Sequence, residues 1–210
     1  MKNTKTLRVL ALALFAAFLM TGCNCNETVQ PVEKTDNGKI AIENIMTRTS
    51  IRSFTDRQVS ADTIEMLLRA GMAAPTAVNK QPWHFVVIND REVMNKLGGE
   101  GRQSQMWKES PLAIAVCGDM EKALEGPAQA FWVQDCSAAI ENILLQIVEE
   151  GLGGVWLGVY PIEERCNDLR KIFNIPEDII PLGTIVCGYS DEENVAKDRF
   201  FPEKVHYEEY

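Results

Sequence analysis

The sequence predicts an α+β domain, on two observations. Stretches with helical periodicity and short β-branched runs are mixed along the chain without the strict alternation of a doubly wound fold. One long apolar stretch, in which Cys136, Ala139, Ile140, Ile143, Leu144 and Ile147 repeat at helical spacing, carries few charges before Glu149. That pattern belongs to a helix buried on most sides, around which the other elements must be arranged.

The first 39 residues read differently from the rest. Met1–Gly22 carries Lys2, Lys5 and Arg8, then an uncharged run over residues 9–20 that is short for a bilayer span and suits the hydrophobic region of a signal peptide. Leu19-Met20-Thr21-Gly22-Cys23 resembles the lipobox of bacterial lipoproteins, with Met20 where Leu is usual. The resemblance implies lipidation of Cys23 and a membrane address; a plain cleaved signal beside an incidental cysteine is the alternative. Residues 24–39 are polar, carry Pro31 and Gly38, lack hydrophobic periodicity and read as a flexible tether. The expected division is therefore a signal peptide at 1–22, a tether at 23–39 and a single domain at 40–210.

Within that domain, residues 41–46 predict a short helix. Ser60 or Asp62 can cap the next one, whose Ile64, Leu67, Leu68, Gly71 and Met72 share a face and which Pro75 stops. Residues 84–88 and 112–118 read as strands, with a helix over 91–97 between them. Gly151, Gly153 and Gly154 end the long helix that starts near Trp132. A strand over 155–160, a helix over 162–173, a strand over 182–189 and a final extended segment over 204–210 complete the expectation.

Charge and cysteine content narrow the function. The formal charge is −9, and removing residues 1–22 deepens it to −12, because they hold three basic residues and no acid. Such a chain is a poor match for nucleic acid. The six cysteines form no CxxC and no zinc spacing, and Cys117 and Cys187 lie in apolar runs as small buried hydrophobes. With two histidines, His84 and His206, and no aligned carboxylates, neither a metal site nor a side-chain catalyst is expected. His84 reads as a packed or hydrogen-bonded residue, Asp119, Glu121 and Glu125 as a solvated loop, and Trp107 and Phe131 as either pocket lining or core.

Three stretches could bind a ligand. Arg48-Thr49-Ser50-Ile51-Arg52-Ser53-Phe54 sets two arginines four apart with hydroxyls between them, suited to a phosphomonoester because a guanidinium meets phosphate oxygens two at a time. Alone, it would be taken for an exposed basic turn. Ala74-Pro75-Thr76-Ala77-Val78-Asn79-Lys80-Gln81-Pro82-Trp83 joins a helix to a strand through small residues, with Asn79 and Gln81 offering donors and acceptors to the edge of a heterocycle. Alone, it is equally an ordinary connection. Gly151-Leu152-Gly153-Gly154-Val155-Trp156-Leu157-Gly158 puts glycines around an apolar strand, where backbone passes close to another strand or to a ligand.

Together these stretches resemble, in order and separation, the flavin-binding segments of the nitroreductase family. Trp132-Val133-Gln134-Asp135-Cys136-Ser137-Ala138-Ala139 with Asn142, Leu144 and Leu145 resembles the family's central helix, and Lys197-Asp198-Arg199 with Val205-His206-Tyr207 its C-terminal segment. The resemblance spans about residues 42–210. It implies a central, mainly antiparallel sheet flanked by helices, an FMN cofactor and a homodimer with the flavin sites at the subunit interface. By the same resemblance Arg48, Arg52, Lys197 and Arg199 hold the FMN phosphate and the pyrimidine side, and Thr49 and Ser50 add contacts beside them. Pro75, Thr76, Ala77 and Asn79 lie against the flavin, commonly from the partner subunit, with Thr76 in place of a more usual Ser. Val155, Trp156, Leu157 and Gly158 run along it. The implied activity is reduction of small organic acceptors such as nitroaromatics or quinones by NAD(P)H, in a ping-pong cycle without a catalytic side chain. A membrane-anchored flavin-binding protein fed by another redox partner, and a cofactor-free binding module, are the alternatives. The acceptor pocket is expected within residues 98–108 and 121–131.

Overall fold

The computed structural model describes residues 40–98, 104–192, 195 and 198–210. Cys23, the 1–22 and 23–39 segments and Lys197 lie outside the described residues. The elements are α1 (Ile40–Thr47), α2 (Ala61–Met72), β1 (Trp83–Ile88), α3 (Arg91–Gly98), α4 (Ser104–Glu109), β2 (Leu112–Asp119), α5 (Phe131–Glu149), β3 (Gly153–Gly158), α6 (Glu163–Phe173) and β4 (Ile179–Gly188). No helix among the described residues is long and apolar enough to cross a membrane.

The four strands form one sheet in the order β1-β2-β4-β3, and every pairing is antiparallel. β2 is buried along its whole length, as an inner strand covered on both faces must be, and its run Leu112-Ala113-Ile114-Ala115-Val116 has no polar alternation. Leu112, Ile114 and Val116 pack with Leu182 and Ile185 against Cys136, Ile140, Ile143, Leu144 and Ile147 of α5 and Leu67 of α2. Burying each such aliphatic side chain contributes about 1.5–3 kcal/mol, which makes α5 the main support of this face. The opposite face carries Ala113, Ala115, Val155, Leu157 and Val186 under Met94, Met106 and Trp107 of α3 and α4.

Local chemistry sets the helix ends. The Ser60 hydroxyl accepts the Thr63 N–H at 3.1 Å and caps α2. The Asp90 carboxylate accepts the N–H groups of Glu92 and Val93 at 2.9 and 3.0 Å at the start of α3. α5 ends because Gly151 takes φ of 67°, open to glycine at no cost, so that Leu152 N–H returns to the Ile147 carbonyl at 2.9 Å.

Two expectations change. Residues 204–210 add no strand: Pro202–Lys204 forms a 3-10 turn and the remainder is exposed and irregular. Pro202 holds φ near −65° and has no N–H to give to a ladder. The short helix α4 (Ser104–Glu109), which overlaps the 98–108 stretch, is not among the expected elements.

Candidate functional site

The basic strip after α1 is held against the sheet by its two apolar members. Ile51 and Phe54 are buried, Ser50 makes a parallel bridge to Gly154, and Ile51 N–H donates to the Gly154 carbonyl at 3.1 Å. Gly153 permits this approach, because a Cβ there would stand 2.6 Å from Ile51 Cγ2. The strip thereby lies along the outer edge of β3 with its polar members partly or fully exposed.

Arg48 and Arg199, from opposite ends of the domain, line one cavity of about 360 Å³ with Asp198, Phe200, Ile45 and Met46. Arg48 is steered by Glu141 of α5, whose carboxylate lies 3.2 Å from its Nε. Arg52 departs from the expectation. Its Nη1 donates to its neighbour's carbonyl, that of Ser50, at 3.1 Å, and it is not among the residues lining the cavity. An exposed arginine can satisfy part of its donor fork on a main-chain carbonyl two residues away.

On β3 the alternation sorts side chains and backbone together. Val155 and Leu157 point into the core, whereas Trp156 and Gly158 are on the other side and exposed. Trp156 leans across Gly183, where an added Cβ would meet its Nε1, and beside Gly158 a Cβ would meet nothing within 4 Å. The Gly154 carbonyl already faces outward to Ile51, so alternation turns the N–H groups of Trp156 and Gly158 to that same outer edge. The edge thus offers backbone donors to a flat ligand, with two guanidinium groups near one end.

The loop between α2 and β1 is conformationally strained. Val78, Asn79 and Gln81 have φ of 50°, 55° and 50°, a region that β-branched Val in particular avoids. Two hydrogen bonds hold it so: Gln81 N–H to Thr76 Oγ1 at 3.0 Å and Ala77 N–H to Asp135 Oδ1 at 2.8 Å. Pro75, Val78, Asn79 and Gln81 are exposed, and none of the loop lines the Arg48–Arg199 cavity of its own chain. The sequence places Asp135 within the central helix and marks no role for it. Its signal was present, as a single acid on the buried side of an otherwise apolar helix.

The nitroreductase family profile matches residues 45–100 and 99–189, most of the described domain. This chain belongs to the nitroreductase family. It is 46% identical over 169 residues to a protein of Archaeoglobus fulgidus named as an NADH dehydrogenase/NAD(P)H nitroreductase, covering 79% of this chain and 96% of that one. A Bacteroides thetaiotaomicron structure of the same name matches with a TM-score of 0.76 and 37% identity, over 82% of this chain and 99% of the other. A Desulfovibrio desulfuricans nitroreductase in complex with FMN matches with a TM-score of 0.69 and 27% identity, over 84% and 99%.

Other polar groups of this nitroreductase serve the scaffold. His84 Nε2 lies 3.3 Å from Asp119 Oδ2, the hydrogen-bonded role expected of it. Asp119 itself is not solvated but 7% exposed. Burial works against its charge, yet the N–H of Lys122, His84, the N–H of Glu121 and the Lys122 ammonium together hold its carboxyl below the usual value. Cys117 and Cys187 are buried as expected, and Cys136 and Cys166 as well. Burial pushes the thiols of Cys117, Cys136 and Cys187 up to about 12, too high for nucleophilic service. Trp107 is buried in the core, whereas Phe131 is 43% exposed.

Proposed function

We propose that this nitroreductase is an FMN-dependent enzyme that takes reducing equivalents from NAD(P)H and passes them to small organic acceptors such as nitroaromatics or quinones. The observation that carries the reading is the meeting of Arg48 and Arg199 in one cavity, next to an edge strand with outward N–H groups. These residues fit FMN: a phosphate needs convergent guanidinium donors, and a planar heterocycle needs backbone that can approach closely. When bound, FMN supplies the hydride chemistry.

The chain's own residues supply position and charge. Arg48 and Arg199 fasten the phosphate, with Lys197 assigned beside them, while Arg52 releases the Ser50 carbonyl to face the ligand's anionic side. Thr49 and Ser50 border the same strip. Gly158 presents its N–H and, lacking a side chain, leaves room over the strand. The strained loop carrying Pro75, Thr76, Ala77, Asn79 and Gln81 is exposed on its own subunit, which suits delivery to a partner's site in a homodimer. No side chain is assigned a proton-transfer role, so donor and acceptor are proposed to take turns at one place. The lipobox-like Leu19–Cys23 stretch supports export and anchoring through lipidated Cys23.

The test is the full chain purified with FMN and mixed with NADH or NADPH without oxygen. Bleaching of the flavin absorbance, then its return with a nitroaromatic or quinone, is expected. A yellow protein that resists both nicotinamides would favour an anchored flavoprotein fed by another redox partner, since reduced nicotinamide is scarce outside the cytoplasm. A protein that stays colourless with added FMN would end the reading. Replacing Cys23 by Ala should move the protein from the membrane fraction to the soluble one.

A further inference from the structure

At the edge of the sheet opposite β3, a cavity of about 560 Å³ lies between α2 and β1. Leu68 and Met72 of α2, with Phe85 of β1, form its apolar side. Lys80, His84 and Lys122 form the other, and no acid lines it among the described residues. The buried Asp119 sets two of these in place, its Oδ2 lying 3.5 Å from Lys122 Nζ and 3.3 Å from His84 Nε2. Lys80 is exposed and makes no ion pair among the described residues. On a chain of net charge −9, such a hollow draws in anions that the protein's overall field repels.

Trp83 adds a second observation. It lines the same cavity, and its indole Nε1 is buried with no hydrogen-bond partner among the described residues. An indole N–H can only donate. Left unpaired it costs about 1–3 kcal/mol, which Phe at the same place would avoid. An orphan donor beside two ammonium groups calls for a ligand with negative charge and several acceptor oxygens, and a phosphate monoester has both. The apolar side suits a nucleotide base next to that phosphate. The lining begins at Lys80 and Gln81, the end of the strained loop that the flavin reading gives to the partner's site. A dinucleotide whose nicotinamide reaches that flavin has its adenosine end left to place, and this cavity adjoins the loop.

We propose that the cavity takes the adenosine 2′-phosphate of the nicotinamide donor and so makes the enzyme prefer NADPH to NADH. Lys80 and Lys122 meet the phosphate as charges, Trp83 donates its N–H to one phosphate oxygen, and the adenine lies along Leu68, Met72 and Phe85. The inference rests on the flavin reading for the identity of the donor, and on the cavity alone for the phosphate contacts.

The experiment has a binding arm that needs no flavin chemistry. The full chain in detergent is titrated calorimetrically with adenosine 2′,5′-bisphosphate and with AMP, which differ by the 2′-phosphate alone. The parent should bind the bisphosphate about tenfold more tightly, the scale of one charge-assisted contact. The double variant Lys80→Ala, Lys122→Ala should bind the two alike. Trp83→Phe should bind the bisphosphate about fivefold more weakly than the parent while melting no lower, because the orphan donor is gone. In the kinetic arm the double variant should raise KM for NADPH by about tenfold and keep the parent's KM for NADH and its FMN retention. Equal binding of the bisphosphate and AMP by the parent overturns the proposal, as does a double variant that keeps the parent's preference in either arm. A parent that stays colourless with added FMN ends the flavin reading instead, and the binding arm then decides the phosphate site by itself.

Discussion

Arg48 enters its cavity from the end of α1 and Arg199 from the far end of the chain, and each has a different claim on an anion. Replacing either with Ala should weaken FMN retention by roughly 2–3 kcal/mol, the scale of a charge-assisted contact. Arg52→Ala should cost less, because that guanidinium is already engaged with the Ser50 carbonyl. Titration of apoprotein with FMN, followed by flavin fluorescence, measures all three; parent-like retention in both Arg48 and Arg199 variants would overturn the phosphate assignment. Asp119 makes a different prediction. Its carboxyl is held below its unfolded value near 3.9, so on acidification the unfolded chain takes the proton first. Its stabilisation is thus complete above that value and is lost as pH falls through the lower, folded one. Asp119→Asn should lower stability by about 1 kcal/mol at neutral pH, with the gap to the parent closing below about pH 4. A gap constant down to pH 3, by urea denaturation, would contradict it. Residue identity was legible for the arginines because their spacing and chemistry are local. The turn of Arg52 onto Ser50 and the burial of Asp119 were not, since both depend on what tertiary structure brings beside them.

Among elements, the connection from α2 to β1 shows why a loop depends on a distant helix. Three residues in the left-handed region would relax if free, and Asp135 is the anchor one helix away. Asp135→Ala leaves the Ala77 N–H unpaired; stability should fall by about 1–3 kcal/mol and FMN retention by about tenfold. Asp135→Asn keeps an oxygen acceptor and should restore most of both. Loss of retention in neither variant would separate the loop from the flavin. The same comparison explains what sequence could tell of the elements. α5 and β2 were legible because burial on all sides erases polar alternation, and α2 because Ser60 and Pro75 mark its ends. α4 is not legible because its six residues, Ser104–Glu109, are too few for the helical period to repeat. The final segment was misread as extended because Val205 and Tyr207 alternate with polar residues, a pattern that needs a neighbouring strand to become structure.

At the scale of the molecule, the four described thiols are all buried and sit on four different elements, so their ionisation reports on the whole fold. Cys117 and Cys187 lie on β2 and β4, Cys136 on α5 and Cys166 on α6. In the folded state burial pushes three of them up to about 12, whereas an unfolded thiol titrates near 8.5. Between those values the native chain binds more protons than the unfolded one. Stability is therefore unaffected by these groups at neutral pH and falls as pH rises above the unfolded value, by up to about 1.4 kcal/mol per pH unit for each thiol. Urea midpoints measured from pH 8 to 11 should fall more steeply in the parent than in a variant with Cys117, Cys136 and Cys187 replaced by Ala. Parallel curves would mean that lysine and tyrosine titration alone drives the loss. The same burial answers how free cysteines suit the oxidising surroundings proposed for an exported protein. An oxidant reaches these thiols only when the core opens, so their modification should follow the global unfolding rate; reaction with a thiol reagent that ignored stabilising or destabilising conditions would show that the core admits it directly.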